Sequence, residues 1–245
     1  MLRIRTLIIL FSLGLCATRE AFGAEFAVVT TAGKRVTICR VDVKKERVAL
    51  FLNDDVGRPL KSFSAVEAWL NKSGSKLLFA MNAGMFERDL RPVGLFVSDS
   101  HQLAPLNLAS GEGNFFLKPN GVFMLTQTGV RIVSSDEYLQ VSEAATLATQ
   151  SGPLLIRSGR IHPAFHSKST SRLFRNGVGV SSPEAVIFAI SEEPVSFYEF
   201  ATLFRDVLHC PDALFLDGTV SSLYSPLLRR NDRKIDLGPM IGVVE

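Results

Sequence analysis

The sequence predicts a single α+β domain, in which a twisted, mostly antiparallel or mixed β-sheet is covered by a few packing helices. Short β-branched and aliphatic runs recur between Gly, Pro and Asn turns, as is typical of strands. Two stretches have apolar residues at helical spacing, and each begins with a Ser-x-x-Glu capping box. The chain has 245 residues, 47% hydrophobic and 21% charged. This length supports one domain with its own core, and the composition excludes disordered, collagen-like and coiled-coil proteins.

Residues 1–23 have the pattern of a secretory signal peptide. A basic segment (1–5) precedes an apolar run of 12 residues (6–17), and Ala21 and Gly23 are small residues suited to a cleavage site. A membrane span needs about 20 apolar residues. We therefore expect a mature domain of residues 24–245, periplasmic or secreted, without a transmembrane segment after cleavage.

An uncleaved membrane anchor is the alternative interpretation of this N-terminal segment. A lipid anchor on Cys16 is less favoured, because Leu15 before it is bulky where a small residue is expected. No later stretch of the sequence is long and apolar enough to span a membrane.

Charge and cysteine content restrict the possible partners. Residues 1–23 contain three arginines and one glutamate, so residues 24–245 carry 24 basic and 23 acidic residues, a net charge of +1. This balance argues against a nucleic-acid partner. Cys39 and Cys210 could form a disulfide in an oxidising compartment or remain two separate buried thiols. The sequence has no Cys/His cluster of zinc-site spacing; it calls for no cofactor, leaves a divalent cation open and does not reveal the oligomeric state.

The first half of the domain is predicted to begin with strands over 26–30, 35–43 and 47–53. A helix then opens with the capping box of Ser64 and Glu67, and it ends at Gly74. A buried strand over 76–81 leads into Asn82. Short apolar stretches between 92 and 131 alternate with turns, which predicts a meander or curled sheet.

The second half is predicted to contain a hairpin over 154–161 with a turn at Ser158 and Gly159. Strands follow over 177–180 and 185–190. Ser196 and Glu199 form a second capping box at the start of a helix over 197–208, which Pro211 terminates. A short buried strand over 213–216 ends at Asp217.

Polar residues collect in Gly-rich turns at the ends of these strands, where binding residues concentrate on rigid scaffolds. Five segments with this form are MNAGMF (81–86), GNFFLKPNGVF (113–123), ATQSGPLL (148–155), SRLFRNGVGV (171–180) and ALFLDGTVSSLY (213–224). In this order they resemble the phosphodiester glycosidase family, relatives of N-acetylglucosamine-1-phosphodiester α-N-acetylglucosaminidase, and its bacterial periplasmic branch in particular. The resemblance extends from about residue 76 to 243, and it implies a mixed α+β fold with a twisted sheet.

The resemblance also implies roles for individual residues. Asp217 and Arg175 correspond to the catalytic pair. The substrate-binding positions are Asn82, Gly84, Phe86, Asn120, Gln150, Gly152, Asn176, Gly218, Ser221 and Ser222. Where typical members have two inner glycines after Asp-Gly, this chain has Thr219 and Val220. That departure restricts the backbone and bears on the substrate more than on the reaction.

These residue types suit hydrolysis of a sugar-1-phosphodiester of the GlcNAc-1-phosphodiester kind. The leaving group is already a stable phosphomonoester anion, so a cation that stabilises it matters more than an acid that protonates it. Asp217 is expected to act as base or nucleophile, kept ionised by a neighbouring Arg175 that clamps the phosphate with its forked donors. One alternative is an Asp217–Arg175 ion pair that merely joins two turns. Another is a non-catalytic periplasmic protein that binds a glycan or phosphoglycan.

Overall fold

The computed structural model describes residues 24–245, and the predicted signal peptide lies outside the described residues. The first strands of this part are β1 (Glu25–Thr31), β2 (Lys34–Asp42), β3 (Arg47–Phe51), β4 (Leu77–Asn82), β5 (Phe96–Ser98), β6 (His101–Ala104), β7 (Gly121–Thr126) and β8 (Gly129–Ser134). They are followed by β9 (Leu147–Ser151), β10 (Leu154–Arg157), β11 (Arg160–Ile161), β12 (Asn176–Ser182), β13 (Ala185–Ser191), β14 (Asp212–Phe215), β15 (Leu223–Ser225), β16 (Arg230–Asn231) and β17 (Met240–Val244).

Three short α-helices accompany the strands: α1 (Phe63–Asn71), α2 (Ser135–Tyr138) and α3 (Phe197–Thr202). A 3₁₀ turn covers Asn114–Phe116, and a π-helical turn, Leu203–Val207, continues α3. The α+β prediction is confirmed. Within residues 24–245 no helix is long and apolar enough to cross a membrane.

The strands form three sheets with the orders β1-β2-β13-β12-β14-β10-β11, β16-β15-β4-β17-β3 and β6-β5-β9-β7-β8. The main core lies between the seven-stranded sheet and the two five-stranded sheets, and it includes Phe79, Phe123 and Phe188. A second cluster lies on the outer face of the seven-stranded sheet beneath α3, and a third lies under α1. The seven-stranded sheet is therefore apolar on both faces, which accounts for its nearly continuous aliphatic strands.

Most predicted elements of the second half are confirmed, including the 154–161 hairpin and the capping box of Ser196 and Glu199. The helix over 197–208 is confirmed as well, but its second half is π-helical, with Leu208 N–H bonded to the Leu203 carbonyl five residues earlier (3.0 Å). In the 92–131 region β5, β7 and β8 follow the predicted apolar stretches, whereas the stretch at 114–118 forms a 3₁₀ turn instead of a strand.

The predicted capping box at the start of the first helix is wrong. Ser62 is the N-cap of α1, and its hydroxyl accepts a hydrogen bond from Ala65 N–H (3.2 Å). The Ser64 hydroxyl instead accepts from the Asn231 amide (3.0 Å), and the Glu67 carboxylate accepts from the Tyr224 hydroxyl. Long-range partners have thus taken the groups that would have made a local cap.

The two cysteines of the described chain are free and buried on opposite faces of the seven-stranded sheet. Cys39 packs in the main core, and Cys210 packs in the cluster beneath α3. Burial raises the pKa of the Cys39 thiol well above its usual range and that of Cys210 to about 12. Neither thiol is therefore a reactive thiolate at neutral pH.

We expect a protein of residues 24–245 to show no reactive thiol when native and two thiols when unfolded without reductant, because both sulfurs are buried and unpaired. Titration with a chromogenic disulfide in the presence and absence of denaturant measures this. If unfolding released no thiol, the two cysteines would be joined by a disulfide and the sheet register around Cys39 would need revision.

Candidate active site

Three strand ends lie next to one another where β4 of a five-stranded sheet meets the seven-stranded sheet. Asn82 ends β4, Asn176 begins β12, and Asp217 lies two residues beyond the end of β14. Each strand is buried and apolar, so it holds its terminal polar residue in a defined place. The site thus joins β4 of a five-stranded sheet to two neighbouring strands of the seven-stranded sheet.

Hydrogen bonds between the two buried asparagines connect these strand ends. Asn176 Nδ2 donates to the Asn82 side-chain oxygen (2.8 Å) and main-chain oxygen (3.1 Å), and Ser222 N–H donates to Asn82 Oδ1 (3.0 Å). Asn82 Nδ2 donates to the Asp217 carbonyl (3.1 Å), and Asp217 N–H donates to Asn176 Oδ1 (2.8 Å). The amide pair therefore fixes the backbone of Asp217 from two sides.

We expect Asn82→Ala to lower the free energy of unfolding by about 2–4 kcal/mol, because it leaves the buried Ser222 N–H without its acceptor and removes the side-chain acceptor of the buried Asn176 amide. Urea unfolding followed by circular dichroism measures the loss. Asn231→Ala is the matched control, because its amide bonds the Ser64 hydroxyl at an exposed position; that change is expected to stay within about 0.5 kcal/mol. Equal midpoints for Asn82→Ala and the wild type would contradict the structural role.

Hydrogen bonds between side chains and main-chain groups within the loop from Asp217 to Ser222 fix its conformation. Thr219 N–H donates to the Asp217 carboxylate (3.0 Å), and the Ser221 hydroxyl donates to the Asp217 carbonyl (3.3 Å). The Ser222 hydroxyl donates to the Val220 carbonyl (2.7 Å). Val220 is buried in the cluster beneath α1 and anchors the loop there.

Gly218 is required by close approach of another chain segment. A Cβ atom on this residue would lie 2.3 Å from the Phe174 carbonyl oxygen, a distance that no side chain tolerates. The loop that follows Asp217 is thus packed directly against the residue before Arg175. Segment 174–176 and loop 217–222 consequently form one continuous unit.

The Asp217 carboxyl group is half-buried, and burial raises its pKa to about 6, against the opposing effect of hydrogen bonds from the Thr219 and Val220 N–H groups. Burial in a less polar environment disfavours the charged carboxylate. A carboxyl group with a pKa near 6 can exchange a proton close to neutral pH, which suits general acid–base chemistry. Perturbed carboxyl groups of this kind concentrate at functional sites.

Arg175 is buried, with 2% of its surface exposed, and it has no carboxylate within 4.0 Å among residues 24–245. Its Nε donates to the Val195 carbonyl (2.9 Å), and its guanidinium carbon lies 3.5 Å from the centre of the Phe197 ring. Neither terminal amino group has a hydrogen-bond partner among the described residues. Burial lowers the pKa of Arg175 to about 10, so the group remains a cation at neutral pH.

The amino groups of Arg175 are nearly, but not completely, enclosed, because this side chain is among the most buried of the described residues. Among residues 24–245, His162 Nε2 is the one side-chain polar atom that is both fully enclosed and without a hydrogen-bond partner. The amino groups of Arg175 lack partners too, so they must keep some accessible surface. A buried cation without a counter-ion is costly. The arrangement is therefore suited to an anion that approaches these two amino groups.

The expected electrostatic coupling between Arg175 and Asp217 requires a correction. Gly177 pairs with Phe215, and Leu216 N–H bonds to the Asn176 carbonyl (3.1 Å), so extending the antiparallel register places Arg175 opposite Asp217. No ion pair joins them, because the carboxylate accepts from Thr219 within its own loop and the guanidinium lies over Phe197. Arg175 does not lower the pKa of Asp217; burial raises it instead.

Several predicted binding residues have partners within the fold. Gln150 Oε1 accepts from the N–H groups of Leu95 (3.0 Å) and Asn107 (2.9 Å), and its Nε2 donates to the Asn107 carbonyl and the Ser135 hydroxyl. The Asn120 amide donates to the Phe115 carbonyl (2.9 Å). The Gln150 amide and the Asn120 Nδ2 group are therefore engaged in positioning loops around β7 and β9.

The remaining predicted residues support the turns near these strand ends. Gly84 and Gly152 allow close approach of neighbouring segments, and Phe86 packs in an apolar cluster. A Cβ on Gly84 would lie 2.6 Å from the Gln150 carbonyl oxygen, and one on Gly152 would lie 2.6 Å from Asn120 Cβ. Phe86 is half-buried and packs against the cluster beneath α1. The structure thus groups Asn82, Asn176, Arg175 and the 217–222 loop, and it places the other five predicted residues in the supporting turns.

Three residues of this region were missed by sequence reasoning. The Ser151 hydroxyl donates to the Leu216 carbonyl (2.6 Å) and secures the end of β14. Lys234 Nζ donates to the Ser221 carbonyl (2.9 Å) and lies 5.4 Å from the centre of the exposed Phe174 ring. Phe197 contacts the Arg175 guanidinium. Ser151 lies in one of the five polar segments and Phe197 directly follows the helix-capping Ser196, whereas Lys234 had no local signal.

A cleft of about 650 Å³ lies along segments 87–93 and 105–108, on the loop that leaves Asn82. Its lining includes Arg88 and Asn107.

In residues 24–245 no three His, Cys, Asp or Glu side chains are grouped so as to hold a metal ion. The polar groups at the strand ends are therefore a carboxyl group, a guanidinium, amides and hydroxyls.

Comparison with known proteins identifies the relatives of this chain. The chain is 36% identical to the protein YigE of Escherichia coli strain K12 over 204 residues. The aligned residues cover 83% of this chain and 80% of YigE. The fold is similar to the catalytic domain of zebrafish N-acetylglucosamine-1-phosphodiester α-N-acetylglucosaminidase in a form auto-inhibited by its pro-peptide, with a TM-score of 0.62, 15% identity, and coverage of 90% of this chain and 82% of that chain.

A protein from Synechocystis has a similar fold, with a TM-score of 0.55, 15% identity, and coverage of 90% of this chain and 61% of that chain. The model of the phosphodiester glycosidase family matches residues 75–243, which include every strand end of the site described above. The chain therefore belongs to the phosphodiester glycosidase family.

Proposed function

We propose that this protein is an exported hydrolase that cleaves the glycosidic C–O bond of a sugar-1-phosphodiester, releasing the sugar and a phosphomonoester. The observation that carries the proposal is the buried guanidinium of Arg175, whose two terminal amino groups have neither a hydrogen-bond partner nor a counter-ion among residues 24–245. In the strand register Arg175 lies opposite Asp217, whose carboxyl group has a pKa of about 6. A GlcNAc-1-phosphodiester is the substrate class suggested by the zebrafish relative's name.

The chemistry follows from the two charged groups. The parallel donors of a guanidinium fit two phosphate oxygens and stabilise the negative charge that grows on the departing phosphomonoester. Ionised Asp217 would either deprotonate the attacking water or attack the anomeric carbon itself. In both cases the C–O bond breaks with its electron pair on the phosphate oxygen, and water supplies the new hydroxyl of the sugar.

Hydrolysis in ¹⁸O-labelled water tests which bond is cleaved. With a chromogenic or unlabelled GlcNAc-1-phosphodiester as substrate, mass spectrometry is expected to find the label at the anomeric oxygen of the sugar. Label in the phosphate would mean attack at phosphorus and would overturn the proposal. If no phosphodiester is turned over but Arg175→Ala abolishes phosphoglycan binding, the protein is a binding protein instead.

Export is part of the proposal and is supported by the basic, apolar and small-residue pattern of residues 1–23. We expect the protein isolated from the periplasm to have the intact mass of residues 24–245. A mass that includes residues 1–23, together with membrane association, would identify this segment as an uncleaved anchor.

A further inference from the structure

A column of stacked rings ends on the Arg175 guanidinium. The Phe197 ring covers one face of the guanidinium at 3.5 Å, and the Phe165 ring stacks on Phe197 with centroids 4.8 Å apart and an angle of 4°. His162 stacks on Phe165 at 4.8 Å, and Phe215 contacts the edge of Phe197 at 4.9 Å. Neighbouring rings thus prevent Phe197 from moving away from the cation.

The start of α3 supplies two constraints on the same guanidinium. Val195 gives the carbonyl that accepts from Arg175 Nε, and Phe197, two residues later, gives the ring. Between them, Ser196 caps the helix in a complete capping box with Glu199, so this backbone is well defined. With one face and one edge held, the remaining edge of Arg175 carries its two free amino groups.

The far end of the column is uncharged at neutral pH. His162 is 4% exposed, its Nδ1 accepts from Ala164 N–H (3.2 Å), and burial lowers its pKa. The column therefore adds no second cation near Arg175. Among residues 24–245, the cation that lies against the rings around Phe197 is the Arg175 guanidinium.

We infer that Phe197 is a positioning residue, which orients the free edge of Arg175 for a phosphate group of the substrate. The inference rests on the proposed function insofar as it assigns the anion to the substrate. Without the ring, an arginine side chain samples further rotamers, and an incoming anion has to immobilise it. Ordering one such side chain typically weakens binding by a factor of roughly 3 to 10.

The test is the affinity of the purified domain for inorganic phosphate, measured by calorimetry. Phe197→Leu is expected to raise the dissociation constant roughly 3- to 10-fold, whereas Phe197→Tyr, which keeps the aromatic face, restores wild-type affinity. Phe204→Leu is the matched control: it removes a fully buried ring from the same cluster, and that ring packs on Phe200 and touches neither Phe197 nor Arg175. It is expected to lower the melting temperature comparably and to leave phosphate affinity unchanged.

Equal losses of phosphate affinity in Phe197→Leu and Phe204→Leu would overturn the inference, since the effect would then be one of core packing. Unchanged affinity in Phe197→Leu, or no phosphate binding by the wild type, would also overturn it. If Phe197→Leu does not fold, Phe197→Met fills more of the space and is judged by the same outcomes. Turnover of the phosphodiester by the wild type is scored separately: absence of turnover with the expected phosphate affinities would reject the proposed function and retain the inference.

Discussion

Asp217→Asn is expected to reduce turnover of a sugar-1-phosphodiester at least about a hundredfold, the effect typical of removing a general base. Asparagine keeps the shape of the side chain and can still accept from Thr219 N–H, so substrate binding should be retained. Steady-state kinetics and equilibrium binding measure the two effects. Asp212→Asn, the same change at the other end of β14, is the control, because Asp212 is ion-paired with Arg157 (2.8 Å) and lies outside the site. Full activity in Asp217→Asn would reduce Asp217 to a turn-forming residue.

The pH dependence of the wild type provides a second measure of the same carboxyl group. Its pKa in the folded protein, about 6, is higher than the ordinary value of about 3.9, so the native state binds this proton more tightly than the unfolded state. Stability from this group is complete below about pH 4 and is lost as the pH rises through about 6. Turnover by an ionised Asp217 changes in the opposite direction and falls as the pH drops below about 6.

Asp217→Asn should therefore be at least as stable as the wild type at pH 8, and this advantage should shrink towards pH 4. Thermal unfolding at several pH values measures the difference. A variant that is less stable than the wild type at pH 8 would show that Asp217 contributes more to folding than the burial of its charge costs, and the case for a functional carboxylate would weaken.

Arg175→Lys is expected to weaken both phosphate binding and turnover by about 10- to 100-fold, because an ammonium cannot replace a pair of charge-assisted hydrogen bonds. It also loses the Nε–H bond to Val195 and most of the planar contact with Phe197. The affinity for inorganic phosphate and kcat/KM report the two losses. Arg160→Lys, at an exposed position of β11, is the matched control and should change neither. Wild-type affinity in Arg175→Lys would mean that another cation binds the phosphate, and Lys234 beside Ser221 would be the first to test.

Local sequence was sufficient wherever local interactions decide the structure. The aliphatic runs of β1, β2, β12 and β13 and the Ser196–Glu199 capping box need only neighbouring residues, and they form as predicted. The first helix shows the limit of such reasoning. Ser64 and Glu67 have the spacing of a capping box, but Asn231 and Tyr224 compete for them, and the cap moves to Ser62.

The candidate site divides in the same way. The sequence by itself determined that polar residues stand at the ends of buried strands at Asn82, Asn176 and Asp217, since these positions are adjacent to apolar runs. Only the tertiary structure decided which of them meet, that Gln150 and Asn120 are engaged within the fold, and that burial raises the pKa of Asp217 with no ion pair to Arg175. The physical reason is that sheet register, desolvation and contacts such as Phe197 on Arg175 depend on residues distant in the chain, and no local pattern specifies them.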